Sequence, residues 1–139
     1  MSIASIKKSL YKVPVASTSF IEEAYWDGAT SSIRFTYEAA AAQEKLRSVS
    51  IHFVRAMLLI KRAESFSGVE HIEGCYDTLV EVENSPLIEA EQRSIAKARM
   101  TEAHHYMIYL ESSGSFELIA QSWSIEETPV SHRQPRGIA

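Results

Sequence analysis

Carboxylates are concentrated in one segment of this chain. Residues 64 to 91 hold eight acidic side chains and neither Lys nor Arg. The formal net charge is −4, so the remainder of the chain carries +4 once these eight are set aside. The eight are Glu64, Glu70, Glu73, Asp77, Glu81, Glu83, Glu89 and Glu91. This local excess of negative charge favours a basic partner over nucleic acid or an anionic membrane.

Three of these carboxylates have a spacing that could support hydrolysis. Residues 76 to 82 (YDTLVEV) alternate as a strand does, which would place Asp77, Glu81 and Glu83 on one face. Glu81 and Glu83 would then lie about 7 Å apart, a separation used by carboxylate pairs that cleave glycosidic bonds. That chemistry also needs a cleft and a carboxyl buried enough to stay protonated. The sequence indicates neither, so a solvated face or a partner-binding face is the preferred interpretation.

Histidine and cysteine show no pattern typical of a metal or nucleophile site. His104 and His105 are adjacent, and neighbouring residues of a strand point to opposite faces, so the pair would not share a metal. His71, Cys75 and Asp77 are close in sequence, but catalytic groups of this kind usually come from distant segments. We therefore predict that Cys75 packs in the core, and we predict no metal, cofactor or catalytic residue.

Phosphate and nucleic-acid recognition are disfavoured. The five glycines form no phosphate-binding loop. Arg55, Lys61 and Arg62, with Phe53 and Phe66, resemble a basic strand with aromatic neighbours, as in some proteins that bind single strands. Three charges are few, and an outer strand face or pairing with the acidic segment explains them more simply.

Length and composition indicate one folded domain. The chain has 139 residues, of which 45% are hydrophobic and 23% charged. These values are typical of a single globular domain with a real core. Cys75 is the single cysteine, which indicates a reducing compartment, and no apolar run is long enough for a signal peptide or a membrane span. We predict a cytoplasmic protein with one α+β domain at 1–127 and a flexible tail at 128–139.

Periodicity predicts a sheet with one main helix. Residues 19–26 and 32–37 flank Asp27-Gly28 and predict a hairpin, and residues 105–110 and 116–123 predict another. Residues 38–46 predict a brief helix, while residues 50–62 fit a strand or a helix. Ser85 and Pro86 predict the start of a helix at about 86–99. The expected fold is α+β: a mainly antiparallel sheet of five or six strands with this helix packed on it.

Two functional classes fit these features. The first is a protein-binding module, not an enzyme, with an acidic surface for a basic protein partner. In size, acidity and lack of catalytic motifs the chain is similar, as a class, to the bacterial immunity proteins that neutralise cationic nuclease toxins. An acidic face of this kind mimics a phosphate backbone and speeds association. The partner-binding residues are predicted to be Glu70, Glu73, Tyr76, Asp77, Glu81 and Glu83.

The second class is a small-ligand-binding or hydrolytic domain. Its pocket would lie between the sheet and the helix, where protein sites commonly occur. Its polar lining would include His71, Asp77, His105 and Tyr109. The sequence leaves the oligomeric state open.

Overall fold

The computed structural model describes residues 5–39 and 45–130. Within them the chain forms nine strands and three short α-helices. The strands are β1 (Ile6–Lys12), β2 (Glu22–Asp27), β3 (Ser32–Ala39), β4 (Lys45–Val54), β5 (Leu58–Arg62), β6 (Thr78–Glu83), β7 (His104–Leu110), β8 (Gly114–Ala120) and β9 (Ser122–Val130). The helices are α1 (Val69–Ile72), α2 (Pro86–Ala90) and α3 (Gln92–Lys97), with 3₁₀ turns at Ser17–Ser19 and Glu64–Phe66.

The strands form two antiparallel sheets. The five-stranded sheet has the order β1-β6-β7-β8-β5, and the four-stranded sheet has the order β2-β3-β4-β9. Consecutive strands form the hairpins β2–β3, β3–β4 and β7–β8. The longer connection from β5 to β6 contains α1, and the connection from β6 to β7 contains α2 and α3.

The main core lies between the two sheets. Alternate residues of β3 and β4, including Ile33, Phe35 and Ile51, share one buried cluster with residues of β7 and β8 such as Ile108 and Leu118. This alternation is the pattern expected when one face of each sheet is covered by the other sheet. Burying these side chains supplies the main drive for folding, at roughly 25 cal/mol per Å² of apolar surface.

The other face of the five-stranded sheet is also covered. Val80, Val82, Met107 and Tyr109 form a second buried cluster with Cys75, and Ile72 of α1 packs against it. Strands β7 and β8 are therefore buried on both faces, and every residue of β8 is buried. A polar side chain in the middle of these strands consequently needs a protein partner.

The expectation of a sheet-rich α+β fold is confirmed, but the expectation of a single sheet with one main helix is wrong. The chain instead divides its strands between two sheets that cover one another, and no long helix is needed to close the core in the described residues. The helix predicted at about 86–99 is split at Glu91, whose backbone (φ −103°, ψ 17°) leaves the helical region. Its predicted start is correct, because the Ser85 side chain accepts a hydrogen bond from the Ile88 amide.

Several local predictions are refined. Both predicted hairpins are present as β2–β3 and β7–β8, but the strand predicted at 116–123 ends at Ala120, and residues 122–123 begin β9 of the other sheet. Residues 50–62 form the end of β4 and all of β5, separated by a turn at Arg55 with a φ of 52°. The brief helix predicted at 38–46 is not formed at its ends, which belong to β3 and β4, and 40–44 lie outside the described residues.

The C-terminal tail was predicted to begin at residue 128. Thr128 instead continues β9, opposite Ser48 of β4, and the ladder extends to Val130. The predicted boundary therefore falls inside a strand. The remainder of the predicted tail, 131–139, lies outside the described residues.

Gly114 provides a test of how closely the start of β8 packs against the backbone at the end of β5. Its φ is +97°, and an added Cβ would lie 2.0 Å from the Arg62 carbonyl oxygen. Gly114→Ala should therefore lower the free energy of unfolding by about 3 kcal/mol or more, since backbone strain and overpacking add. Gly28→Ala is the matched control, because its Cβ would meet Trp26 at 3.6 Å, an ordinary contact. Equal urea midpoints for the two variants would contradict this close packing.

Candidate functional site

The first part of the acidic segment, residues 64–76, folds as a surface layer beside β7. Two of its residues face inward: Cys75 is fully buried in the second core cluster, and Ile72 packs against that cluster. Glu64, Glu70 and Glu73 are exposed, and the Glu64 carboxylate accepts hydrogen bonds from the Tyr109 hydroxyl (3.3 Å) and the Ser112 amide (3.1 Å). The layer is therefore attached through a few inward contacts, and most of its carboxylates face solvent.

Large apolar side chains are exposed among these carboxylates. Phe66 is 78% exposed and Val69 is 71% exposed, the two highest values among the large hydrophobic residues that the structure describes. Tyr76 is 46% exposed, and its ring stacks on that of Tyr109 with 5.9 Å between centroids. We call this region the acidic-aromatic surface; it comprises Glu64, Phe66, Val69, Glu70, Glu73 and Tyr76.

The Lys7 side chain, from β1, binds the backbone of this layer. Its ammonium donates to the carbonyl oxygens of Glu70 (2.6 Å) and Glu73 (2.5 Å), leaving their carboxylates out of these bonds. Across the described residues, the side chains that form ion pairs with the carboxylates of 64–91 are histidines, His71 and His104, rather than Lys or Arg. The negative charge predicted from the sequence is therefore not cancelled by direct lysine or arginine pairs.

Asp77 does not belong to this surface. It is 5% exposed, and its two carboxylate oxygens accept hydrogen bonds from the backbone amide (3.1 Å) and hydroxyl (2.5 Å) of Ser17. Its φ of 54° places it in a turn before β6, so it does not share a strand face with Glu81 and Glu83. Asp77 therefore fixes the loop after β1, and a protein partner could not reach its carboxylate.

Glu81 and Glu83 line a cleft instead. The ladder between β6 and β7 ends at Glu81 and Tyr106, although β6 continues to Glu83 and β7 begins at His104. A cleft of about 820 Å³ lies at this point. Its polar and charged lining consists of Glu81, Glu83, Asn84, Ser85, Glu89, Gln92, His104 and His105.

His104 bridges two carboxylates at this cleft. Its Nδ1 lies 2.5 Å from Glu81, and its Nε2 lies 3.4 Å from Glu102. Burial alone would lower the pKa of His104, but the hydrogen bond and charge of Glu81, supported by Glu102, outweigh it and raise the pKa above its usual value. Protonated His104 would therefore offset part of the negative charge of the cleft.

A hydrogen-bonded triad extends from the cleft into the sheet. Ser85 Oγ lies 2.6 Å from His105 Nδ1, and His105 Nε2 lies 2.6 Å from Glu117 Oε2. Arg62 binds the other oxygen of Glu117 at 2.8 Å. His105 and Glu117 are buried, whereas Ser85 is half-buried at the cleft wall. Of these three residues, His105 is predicted from the sequence to line a pocket, whereas the sequence assigns no site role to Ser85 or Glu117.

The charge state of Glu117 follows from its surroundings. Burial raises the pKa of this carboxyl, but hydrogen bonds from His105 and Arg62 outweigh burial and lower the pKa to about 2. Glu117 is thus ionised at neutral pH and can only accept hydrogen bonds. In the His105 tautomer that donates Nε2–H to this carboxylate, Nδ1 accepts a hydrogen bond from the Ser85 hydroxyl.

Other predicted candidates have structural roles. His71 accepts a hydrogen bond from the Gly68 amide on Nδ1, and the buried Cys75 thiol donates to the His71 carbonyl. Burial raises the pKa of the Cys75 thiol. Of the four residues predicted to line a pocket, His105 is the one that reaches the cleft; His71, Asp77 and Tyr109 are not among its lining residues. Within the described part of the chain, no group of three or more His, Cys, Asp or Glu residues could hold a metal ion.

The basic residues of β5 and the preceding turn also have partners. Arg55 donates to the Ala98 carbonyl at 2.7 Å, and Lys61 donates to the Ser113 carbonyl. The Lys61 ammonium also lies 5.0 Å from the centre of the Phe116 ring. The predicted pairing with the acidic segment is not found among these contacts, because Ala98, Ser113 and Phe116 all lie outside residues 64–91. No helix in the described residues has both the length and the apolar character needed to cross a membrane.

The contribution of Glu117 to stability should depend on pH. Its folded-state pKa of about 2 lies below the ordinary value of 4.5, so the unfolded state takes up the proton first as pH falls. Its stabilisation is therefore complete above the ordinary pKa and is lost as the pH approaches about 2. Glu117→Gln should lower the unfolding free energy at neutral pH by about 2–3 kcal/mol and flatten this acid dependence.

Urea unfolding from neutral pH to about pH 3 measures both effects. Glu89→Gln is the control, because Glu89 is exposed and its replacement should change stability by less than about 0.5 kcal/mol. Identical curves for the two variants would show that the buried contacts of Glu117 contribute nothing.

Comparisons with known proteins add no family assignment. No protein-family model matches the chain, and no curated protein or solved structure matches it.

Proposed function

We propose that this chain is a protein-binding module that recognises a basic partner protein through its acidic-aromatic surface. The observation that carries the proposal is the exposure of Phe66 and Val69, at 78% and 71%, among carboxylates that also face solvent. Exposed apolar side chains surrounded by polar residues are typical of protein interaction sites.

The apolar and charged groups would contribute differently to binding. Phe66 and Tyr76 supply large aromatic surfaces of the type that dominates interface energies when buried by a partner. Glu70 and Glu73 would act mainly on the rate of encounter, since charges at an interface rim steer a partner of opposite sign. The Glu70 side chain is 76% exposed and lies 3.7 Å from His71, so it is available to an approaching cation.

The cleft residues extend the negative potential beyond this surface. Glu83 is exposed, and it follows Val82, whose strand neighbour is Lys7, the residue that holds the acidic-aromatic layer. Glu81 is engaged with His104 and is therefore a weaker candidate for direct contact. The proposed contact residues are Glu70, Glu73, Tyr76 and Glu83, joined by Glu64, Phe66 and Val69.

The specific form of this proposal is an immunity protein that neutralises a cationic, nuclease-like toxin. A nuclease must present cations to a phosphate backbone, so a rigid acidic surface with aromatic anchors would compete for the same groove. The small size of the chain and its acidic segment support this form. Loss of nuclease activity when this protein is added to its captured partner would be the direct readout.

Charge reversal tests the surface. Capture on immobilised wild type from the native cells should retain a basic protein that Glu70→Lys with Glu73→Lys fails to retain. With the purified partner, the double variant should associate at least about tenfold more slowly at low salt, and the difference should shrink as salt increases. Stopped-flow association rates at several ionic strengths measure this.

Glu22→Lys with Glu23→Lys is the matched control, because it makes the same charge change at exposed positions of β2 in the other sheet. Phe66→Ser with Val69→Ser should instead speed dissociation, since it removes apolar side chains that the bound partner would bury. Equal association rates for both charge-reversed proteins would place the interface elsewhere and remove the support for this proposal.

A further inference from the structure

We infer that Ser85 is a nucleophile activated by His105, and that the cleft is a hydrolytic site for acyl esters or thioesters carrying a positively charged group. This inference is independent of the proposed partner binding. It rests on three observations: the geometry of the Ser85–His105–Glu117 triad, the position of Ser85 at a cleft, and the charge of the cleft wall.

The triad has the geometry that such activation requires. A serine hydroxyl is a weak nucleophile until a base takes its proton, and the base must be oriented by a third group. His105 is the base, with Nδ1 2.6 Å from Ser85 Oγ and Nε2 2.6 Å from Glu117. Here the serine lies on Nδ1 and the carboxylate on Nε2, but the imidazole offers one acceptor and one donor in either arrangement.

Neighbouring groups orient the His105 ring and the Ser85 hydroxyl. Arg62 binds the second oxygen of Glu117, so Glu117 and Arg62 act as positioning residues that hold the imidazole. The Ile88 amide donates to Ser85 Oγ at 3.1 Å, which occupies one lone pair of the hydroxyl oxygen and leaves the second for an acyl carbon. The Ser85 proton is thereby directed toward His105.

The cleft wall indicates the substrate class. Its described lining contains Glu81, Glu83 and Glu89 but neither Lys nor Arg. His104, which binds Glu81, offsets only part of this negative charge when protonated. A cationic group of a substrate would be attracted there, whereas a carboxylate or phosphate would be repelled. The volume of about 820 Å³ accommodates a small ester or the end of a side chain. Gln92 adds a side-chain amide, a donor type that can stabilise a developing oxyanion.

The proposed reaction balances with water as the only co-reactant. Ser85 Oγ forms a bond to the acyl carbon while its proton passes to His105 Nδ1. The bond from the acyl carbon to the leaving oxygen or sulfur then breaks, and His105 returns the proton to that leaving group. Water attacks the acyl-serine in the same way, which releases the acid and restores the Ser85 hydroxyl.

A fluorophosphonate probe tests the nucleophile without a known substrate. Attack by Ser85 would form an Oγ–phosphorus bond and release fluoride, so mass spectrometry should find the adduct on Ser85 in the wild-type protein. Ser85→Asn should abolish labelling while still accepting the Ile88 amide hydrogen bond, because Asn is also a good helix cap. Ser94→Ala, at an exposed serine of α3, should label as wild type does.

Turnover tests the substrate class. Wild type should hydrolyse acetylthiocholine faster than its neutral analogue 3,3-dimethylbutyl thioacetate. Ser85→Asn should reduce kcat/KM for acetylthiocholine by at least about 100-fold, as removal of a nucleophile does. Glu117→Gln should slow labelling of Ser85, which a purely structural role in a folded variant would not do.

The inference would be overturned if folded wild type were unlabelled, if the probe reacted at another residue, or if Ser85→Asn retained turnover. Cooperative urea unfolding of each variant establishes that it is folded. A preference for the neutral thioester would overturn the assigned substrate class. Because these measurements use no protein partner, their outcome is separate from that of the capture experiment.

Discussion

The burial of β7 and β8 on both faces is the constraint on which the candidate sites depend. The four-stranded sheet covers one face of these strands, and on the other face α1 lies against β7 and the Glu64–Phe66 turn lies against β8. A carboxylate placed in the middle of β8 would be unfavourable without partners, because transfer of an unpaired charge from water to a protein interior costs several kcal/mol. Glu117 therefore requires Arg62 from β5 and His105 from β7, and the second nitrogen of His105 in turn requires Ser85.

This requirement joins elements that are distant in sequence. Ser85 precedes α2, and its hydroxyl also accepts a hydrogen bond from the Ile88 amide. One hydroxyl group thus attaches the connection between β6 and β7 to the buried face of the sheet. The cleft lies in the same connection. The β6–β7 ladder ends at the pair Glu81–Tyr106, and Ser85 follows the end of that ladder and lines the cleft. Satisfaction of a buried charge and formation of a cleft are consequences of the same arrangement.

Local pattern predicted part of the strands, but not β1 or most of β9, and it predicted the sites less well. The alternation of residues 76–82 and the turn signals around Asp27-Gly28 have short-range causes, so the β6 strand and the β2–β3 hairpin could be read from the sequence. The division into two sheets depends on pairings such as β5 with β8, which are far apart in sequence and have no local signal. Residues 124–130 were similarly not predicted as a strand, since their pairing with β4 determines their structure.

The site predictions failed where burial decided the role of a residue. The spacing of Asp77 predicted that it shares a strand face with Glu81 and Glu83. Its backbone is instead left-handed, and its carboxylate is buried and hydrogen-bonded to Ser17. Glu117 was overlooked although it stands in a strongly apolar run, FELIA. A single carboxylate in such a run is a usable signal, because both of its strand faces are expected to be buried and it must then have partners elsewhere. The identity of those partners needs the fold.

The charge asymmetry of the sequence persists in the folded surface for a related reason. Basic side chains that could have neutralised the acidic segment are bound elsewhere: Arg34 to Asp27, Arg47 to Glu127, and Arg62 to Glu117. Lys7, which contacts that segment, donates hydrogen bonds to carbonyl oxygens and not to carboxylates. These arginines thus form ion pairs with carboxylates outside the acidic segment. They leave its exposed carboxylates beside the exposed Phe66 and Val69, on the surface for which we propose a basic partner.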